Sequence, residues 1–235
     1  VNALLPAPLA LGFDFDHTLG RDNGLERRAL YALAADAGSP IDPSDAAWTA
    51  RVDELLDRFR SDALGMDAMV AEFAASLGVV GLRPERWQEH CYALVDTLVE
   101  PLPGARELLA ELRARGVPHA ILTNGWSPLQ EKKVARALGE TIVGTTVLVS
   151  AAIGVAKPAR AAFDLLVDEL GMERERCWYV GDNPRTDVAG SVAAGLRAIW
   201  LDAAGVRYPQ DVPRPMVRIA ALRELEALIE NTFAP

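Results

Sequence analysis

Leu9-Ala10-Leu11-Gly12-Phe13-Asp14-Phe15-Asp16-His17-Thr18 is the stretch on which the fold turns. It is almost wholly apolar up to Asp14, then ends abruptly in acids. That is the composition of a strand covered on both faces, and it predicts a strand over Leu9–Phe15. Working outward, Ala120–Thr123, Thr145–Ser150, Trp178–Gly181 and Ala198–Leu201 read the same way, with a weaker sixth segment at Met216–Ile219. Helical patterns lie between them. Ala105–Arg115 places Leu108, Leu109 and Leu112 on one face, with Gly116 as its stop. Leu129–Leu138, Ala159–Leu170 before Gly171, Val188–Ala194 and Leu222–Glu230 complete the set. Alternating strands and helices predict an α/β fold, a Rossmann-like parallel sheet with helices on both faces.

Leu25–Leu98 breaks that rhythm. It holds no convincing strand and reads as four helices: Glu26–Ala37, Asp45–Arg60, Met66–Leu77 and Pro84–Leu98. Turns fall at Gly38–Pro43, Gly65 and Gly78–Arg83. The expected organisation is a core domain of residues 1–21 and 101–235, with a small all-helical insertion of residues 22–100 packed over one end of it. Gly20–Gly24 is the expected flexible link into the insertion and Pro101–Gly104 the return hinge.

The bulk properties restrict the function. A net charge of −9 and a pI near 4.9 with no basic run make a poor binder of nucleic-acid polymers or anionic membranes. A phosphate-binding protein of this charge must concentrate positive charge locally. Cys91 and Cys177 form neither a disulfide framework nor a zinc motif, which fits a reducing cytoplasm. Val1–Ala10 lacks the charged start of a signal peptide, and no run reaches the ~18 apolar residues of a membrane span.

Four features fall at or just after predicted strand ends, where open α/β sheets bind ligands. In Asp14-Phe15-Asp16-His17-Thr18, acids two apart on an extended chain share a face. Such carboxylates repel unless a cation joins them; alone, the pair reads equally as surface loop acids. Thr123-Asn124-Gly125 offers a hydroxyl and N–H groups for phosphate oxygens, or an ordinary turn. Lys157 before Pro158 can neutralise a carboxylate and a phosphoryl group, or stand solvated. Gly181-Asp182-Asn183-Pro184-Arg185-Thr186-Asp187 presents hard oxygen ligands suited to Mg²⁺, although Asp187 can equally cap the next helix.

Taken in order, these residues resemble the haloacid dehalogenase superfamily of hydrolases: DxDxT at Asp14–Thr18, then Thr123, Lys157 and GDxxxD at Gly181–Asp187. The resemblance extends through PLPGARELLAELRARGVPHAILTNG, VAKPARAAFDLLVDELG and GDNPRTDVAGSVAAGL, and makes Leu25–Leu98 the helical cap. It implies a Mg²⁺-dependent phosphomonoester hydrolase acting on a small phosphorylated metabolite. Asp14 is then the nucleophile that forms an aspartyl phosphate, and Asp16 the general acid and base. Asp14, Asp16 through its backbone carbonyl, Asp182, and Asp187 through water are the implied metal ligands. Thr123, the Asn124 backbone and Lys157 are the implied phosphoryl ligands. His17 departs from the family's frequent Gly and is read as a solvent-facing loop residue.

Rival chemistries on the same scaffold leave different marks. A dehalogenase needs no leaving-group acid, so Asp16 counts against it. A phosphonatase uses a cap lysine, and Leu25–Leu98 has none. A sugar-phosphate mutase shares the full motif set and stays open. A phosphate-binding regulatory module without turnover is the non-enzymatic alternative. Trp48, Trp87, Tyr92, Arg51, Arg58 and Arg60 are substrate contacts by type only, and Trp126 either faces the cleft or packs between sheet and helix. A monomer or a homodimer fits equally.

Overall fold

The computed structural model describes residues 10–61 and 63–233. Expectations for Val1–Leu9, including the first residue of the opening strand and the signal-peptide reading, lie outside the described residues. In chain order the elements are β1 Ala10–Phe13, β2 Gly20–Arg21, α1 Leu25–Asp36, α2 Ala46–Arg60, α3 Met66–Leu77, α4 Pro84–Leu98 and β3 Glu100–Pro101. There follow α5 Ala105–Ala114, β4 His119–Thr123, α6 Leu129–Leu138, β5 Thr146–Val149, α7 Ser150–Ile153, α8 Arg160–Leu170 and β6 Cys177–Gly181. A π-helical turn at Pro184–Val188 leads to α9 Ala189–Ala193, β7 Arg197–Leu201, β8 Val217–Ile219 and α10 Leu222–Phe233. Contacts divide the chain into two compact units, one running up to Arg21 and from Glu100 on, the other Asp22–Val99.

The first unit carries a six-stranded, all-parallel sheet in the order β5-β4-β1-β6-β7-β8. The order runs outward in both directions from β1. Right-handed crossovers therefore put the helices of the two halves on opposite faces and open a crevice at the carboxyl end of β1. One face is sealed by α8. A Cβ on Gly12 would lie 2.5 Å from Leu166 Cδ2 and 2.8 Å from Tyr179 Cδ2, so only glycine lets α8 sit directly on β1. Phe163, Leu166, Tyr179, Leu122 and Cys177 fill that layer, with the Phe163 and Tyr179 rings edge to face at 5.0 Å.

In the second unit α1 packs on α4 and α2 on α3, around buried Leu30, Leu33, Val52, Leu56, Phe73 and Trp87. Trp87 belongs to this core, not to a binding surface. It is fully buried, its Nε1 donates to the Glu26 carbonyl at 3.2 Å, and its ring stands edge-on to Phe59. Arg58 pairs with Glu72 and Arg60 with Glu26. Asp45 is the cap of α2, not its first residue, and accepts from the N–H groups of Ala47 and Trp48. Among the described residues no helix is long and apolar enough to cross a membrane.

Two expectations need correction. Gly20–Arg21 is no flexible link: it forms a two-stranded antiparallel ribbon with Glu100–Pro101, too short to leave a sequence period. The helix expected at Val188–Ala194 is preceded by the π-helical turn from Pro184. Asn183 supplies its cap, accepting from Arg185 N at 2.9 Å and Thr186 N at 3.3 Å, and proline suits the first helical position.

Candidate active site

Asp14 leaves the end of β1, and its N–H donates to Val180 O at 2.9 Å, the last ladder bond to β6. The chain then abandons the extended form. Phe15 O accepts from the N–H groups of Thr18, Leu19 and Gly20, and His17 N–H from its left-handed position (φ 58°) reaches Gly20 O. Asp14 and Asp16 have different side-chain partners, so each carboxylate is held separately.

Asp14 is buried. Lys157 Nζ donates to its Oδ1 at 2.6 Å and Thr18 Oγ1 to its Oδ2 at 3.2 Å. Lys157, also buried, spends its remaining donors on Asp187 Oδ1 at 2.7 Å and Tyr179 Oη at 3.0 Å. Tyr179 in turn donates to Leu122 O at 2.9 Å. The lysine backbone is fixed as firmly. Asn124 receives the Lys157 N–H on Oδ1 and returns Nδ2 to the Lys157 carbonyl, both at 2.9 Å. The Asn124 side chain thus positions the lysine, a role the sequence did not suggest.

Asp187 does not cap a helix, because Asn183 does. Its Oδ2 accepts from Asn183 N–H at 3.0 Å while Oδ1 faces Lys157. Gly181 makes this approach feasible: a Cβ there would lie 2.5 Å from Asp187 Cγ. Asp14, Asp182 and Asp187 bring carboxylate oxygens within 4.8 Å of one another. One ammonium cannot balance three such acids. Burial pushes Asp14 up to about 8 against the pull of Lys157, with Asp187 and Asp182 pushing the same way. Burial and then Asp187 push Asp182 up to about 7. Burial alone would lower Lys157, but Asp14 and Asp187 outweigh it and hold it well above its ordinary value. An all-oxygen cluster with this excess negative charge fits a hard divalent cation of the Mg²⁺ kind.

The Asp16 carboxylate is not one of the three mutually close acids, although its charge adds to the upward push on Asp182. Gln130 Nε2, on α6, donates to Asp16 Oδ2 at 2.8 Å, and Lys133 Nζ stands 2.6 Å from Asp16 Oδ1. The lysine contact is a charge pair without the alignment of a hydrogen bond. Gln130 Nε2 also reaches Thr123 Oγ1 at 2.7 Å. The Thr123 hydroxyl itself makes only a long 3.5 Å contact to Asn124 O, which leaves its proton for a ligand oxygen. Gly125, after Thr123, is anchored by Ser150 through both its N–H and its carbonyl. Trp126 is buried.

The structure thus gathers Asp14, Thr123, Asn124, Lys157, Asp182 and Asp187 at one sheet edge, and puts Asp16 beside them on separate supports. Gln130, Lys133 and Tyr179 were not singled out from sequence, and Thr18 stood in the motif without a role of its own.

The family model for haloacid dehalogenase-like hydrolases matches residues 9–195. The phosphoserine phosphatase of Thermus thermophilus is 32% identical over 90% of this chain and 95% of its own. The magnesium-bound HAD-hydrolase YfnB of Bacillus subtilis superposes with a TM-score of 0.77 at 21% identity, over 96% of this chain and 99% of its own. A dehalogenase in an intermediate complex superposes with a TM-score of 0.72 at 16% identity, over 96% and 99%. At those identities the two structures share the fold alone, and the chemistry must be read from the side chains.

Proposed function

We infer, from the premise that the chain belongs to the haloacid dehalogenase-like hydrolase family, that this hydrolase cleaves small phosphomonoesters through an aspartyl phosphate on Asp14. One observation carries the reading. The two carboxylates of the β1 loop are kept on separate supports, Asp14 on Lys157 and Asp16 on Gln130 and Lys133. Separate holding suits separate duties: a nucleophile and a proton carrier. A dehalogenase has no use for the second.

Asp14 attacks phosphorus in line. A carboxylate oxygen–phosphorus bond forms, the ester phosphorus–oxygen bond breaks, and the Asp16 carboxyl gives its proton to the departing oxygen. Water then attacks the phosphoryl group, Asp16 takes the water's proton, and inorganic phosphate leaves Asp14. Thr123 Oγ1 and the Asn124 backbone hold phosphoryl oxygens, and Lys157 neutralises both them and Asp14. Asp14, Asp182 and the Asp16 carbonyl would hold Mg²⁺, with Asp187 supporting; the ion supplies positive charge for the phosphoryl oxygens. The small helical unit would select the substrate as a cap. The Thermus relative is named a phosphoserine phosphatase, which makes phosphoserine a first substrate to screen.

The test is phosphate release from a broad phosphomonoester panel with Mg²⁺, including phosphoserine, nucleotides, sugar phosphates and phosphoglycolate. Hydrolysis of at least one supports the reading. Silence across the panel, or conversion to an isomeric phosphate without release, contradicts it.

The charge excess gives a second expectation. The folded-state values of Asp14 (about 8) and Asp182 (about 7) both lie above the usual 3.8. The folded protein then binds more protons than the unfolded chain across roughly pH 4 to 8, so metal-free stability falls as pH rises through that window. Mg²⁺ needs the ionised acids. At about 100 times its Kd it should therefore raise Tm by roughly 5–10 °C at pH 8, and far less at pH 5. Thermal melts at the two pH values check this; an equal or larger shift at pH 5 contradicts it.

A further inference from the structure

We propose that Gln130 and Lys133 are positioning residues that fix the Asp16 carboxylate for proton transfer to the leaving oxygen. The proposal rests on the phosphomonoester reading above and adds two residues of α6 to its machinery.

Both side chains are only 3% exposed, although each is polar and sits on a helix with solvent on its other face. Burying an ammonium is costly unless an anion meets it, and the anion here is Asp16. Gln130 and Lys133 are three apart and so lie on one helix face. Between them they engage both oxygens of one carboxylate, at 2.8 and 2.6 Å. Lys133 Nζ also stands 5.8 Å from the centre of the Phe15 ring, on the residue between the two acids.

The lysine inventory points the same way. The chain has only three lysines, against 21 arginines. Two of the three are buried, and each stands on one of the paired acids, Lys157 on Asp14 and Lys133 on Asp16. A compact point charge fits where a planar guanidinium does not.

Local backbone supports the reach of Gln130. Gly125 has φ 149°, and a Cβ there would lie 2.6 Å from Gln130 Cγ and 2.8 Å from its Cδ. A side chain at Gly125 would push Gln130 off Asp16. Because the same Nε2 serves Asp16 Oδ2 and Thr123 Oγ1, one amide ties the proton carrier to a phosphoryl ligand.

A positioning role and a merely structural role separate on the leaving group. An aryl phosphate such as 4-nitrophenyl phosphate expels a stabilised phenolate that needs no proton, whereas an alkyl phosphate expels an alkoxide that does. kcat/KM reports the steps up to that departure. In the full chain with Mg²⁺, Lys133→Met and Gln130→Ala should each lower kcat/KM for the best alkyl substrate by roughly 10–100-fold, a share of the 10²–10⁴ that general acid catalysis supplies. For 4-nitrophenyl phosphate the loss should stay within about 3-fold, since that leaving group gains little from an acid. Gly125→Ala should shift the alkyl-to-aryl ratio in the same direction. The ratio is internal to each sample, so a misfolded fraction does not alter it. An unchanged ratio in these variants, whatever the absolute loss, overturns the proposal while leaving the phosphomonoester reading standing. If the wild type releases phosphate from neither substrate, that reading falls and the proposal with it.

Discussion

Asp14→Asn should reduce phosphate release by at least about 10³-fold on every substrate, aryl or alkyl, because it removes the nucleophile itself. The amide is isosteric with the carboxylate, and its oxygen can still accept from Lys157 Nζ, which now donates to Asp14 Oδ1 at 2.6 Å. The fold should therefore survive, with a circular dichroism spectrum like that of the wild type. This pattern differs from the one expected of Gln130 and Lys133, whose loss depends on the leaving group. Steady-state kinetics on the purified variant checks it. Activity within about tenfold of wild type would remove Asp14 from the nucleophile's role.

Lys157→Met should be costly twice over. The ammonium donates to Asp14 at 2.6 Å and to Asp187 at 2.7 Å, all three groups being buried. Removing it leaves buried carboxylates without their cation, which costs on the order of 3–5 kcal/mol and should lower Tm by roughly 10 °C at pH 8 without metal. At pH 5 the destabilisation should shrink, since Asp14, at about 8, is then largely protonated in the folded state. Mg²⁺ should restore part of the lost stability at pH 8 by replacing the missing charge. It should not restore activity. Loss of the charge that neutralises Asp14 and its phosphoryl group should cost roughly 10²–10³-fold in rate, and the metal cannot reproduce the lysine's place between the two acids. Melting curves at two pH values, with and without Mg²⁺, check the first part and kinetics the second. A Tm unchanged at pH 8 would contradict the electrostatic account.

The sequence disclosed the sheet edge because strand ends and acids coincide there: Asp14, Thr123 and Asp182 each close an apolar run that is easy to see, and Asp187 shares the loop of Asp182. Lys157 was legible only through its order in that set. The residues that support them were hidden for identifiable reasons. Tyr179 lies inside the fully buried strand β6 and reads as one more aromatic of the core. Gln130 and Lys133 left a fainter signal. The buried positions of α6 are Leu129, Gln130, Lys133, Val134, Ala137 and Leu138, so two polar residues occupy the apolar register, a misfit that could have drawn notice. Thr18 stood within the motif, but its hydrogen bond to Asp14 depends on the turn closed on the Phe15 carbonyl. The separate partners of Asp14 and Asp16 were hidden for the same reason: β1 ends at Phe13, and strand alternation says nothing of what a turn brings to each carboxylate. Asn183 took the capping role that Asp187 could equally have filled, a competition between two nearby side chains that spacing does not resolve.

The most direct test of a covalent phosphoryl group on Asp14 uses the Asp16→Ala variant. With 4-nitrophenyl phosphate and Mg²⁺, the first step needs no acid, while hydrolysis of the intermediate lacks its base, so the phosphoenzyme should accumulate. Acid quenching, peptic digestion at low pH and mass spectrometry should find one phosphoryl group on the peptide that contains Asp14, at Asp14 itself. A phosphoryl group on His17 or elsewhere, or release of 4-nitrophenol and phosphate together with no modified peptide, would contradict the mechanism.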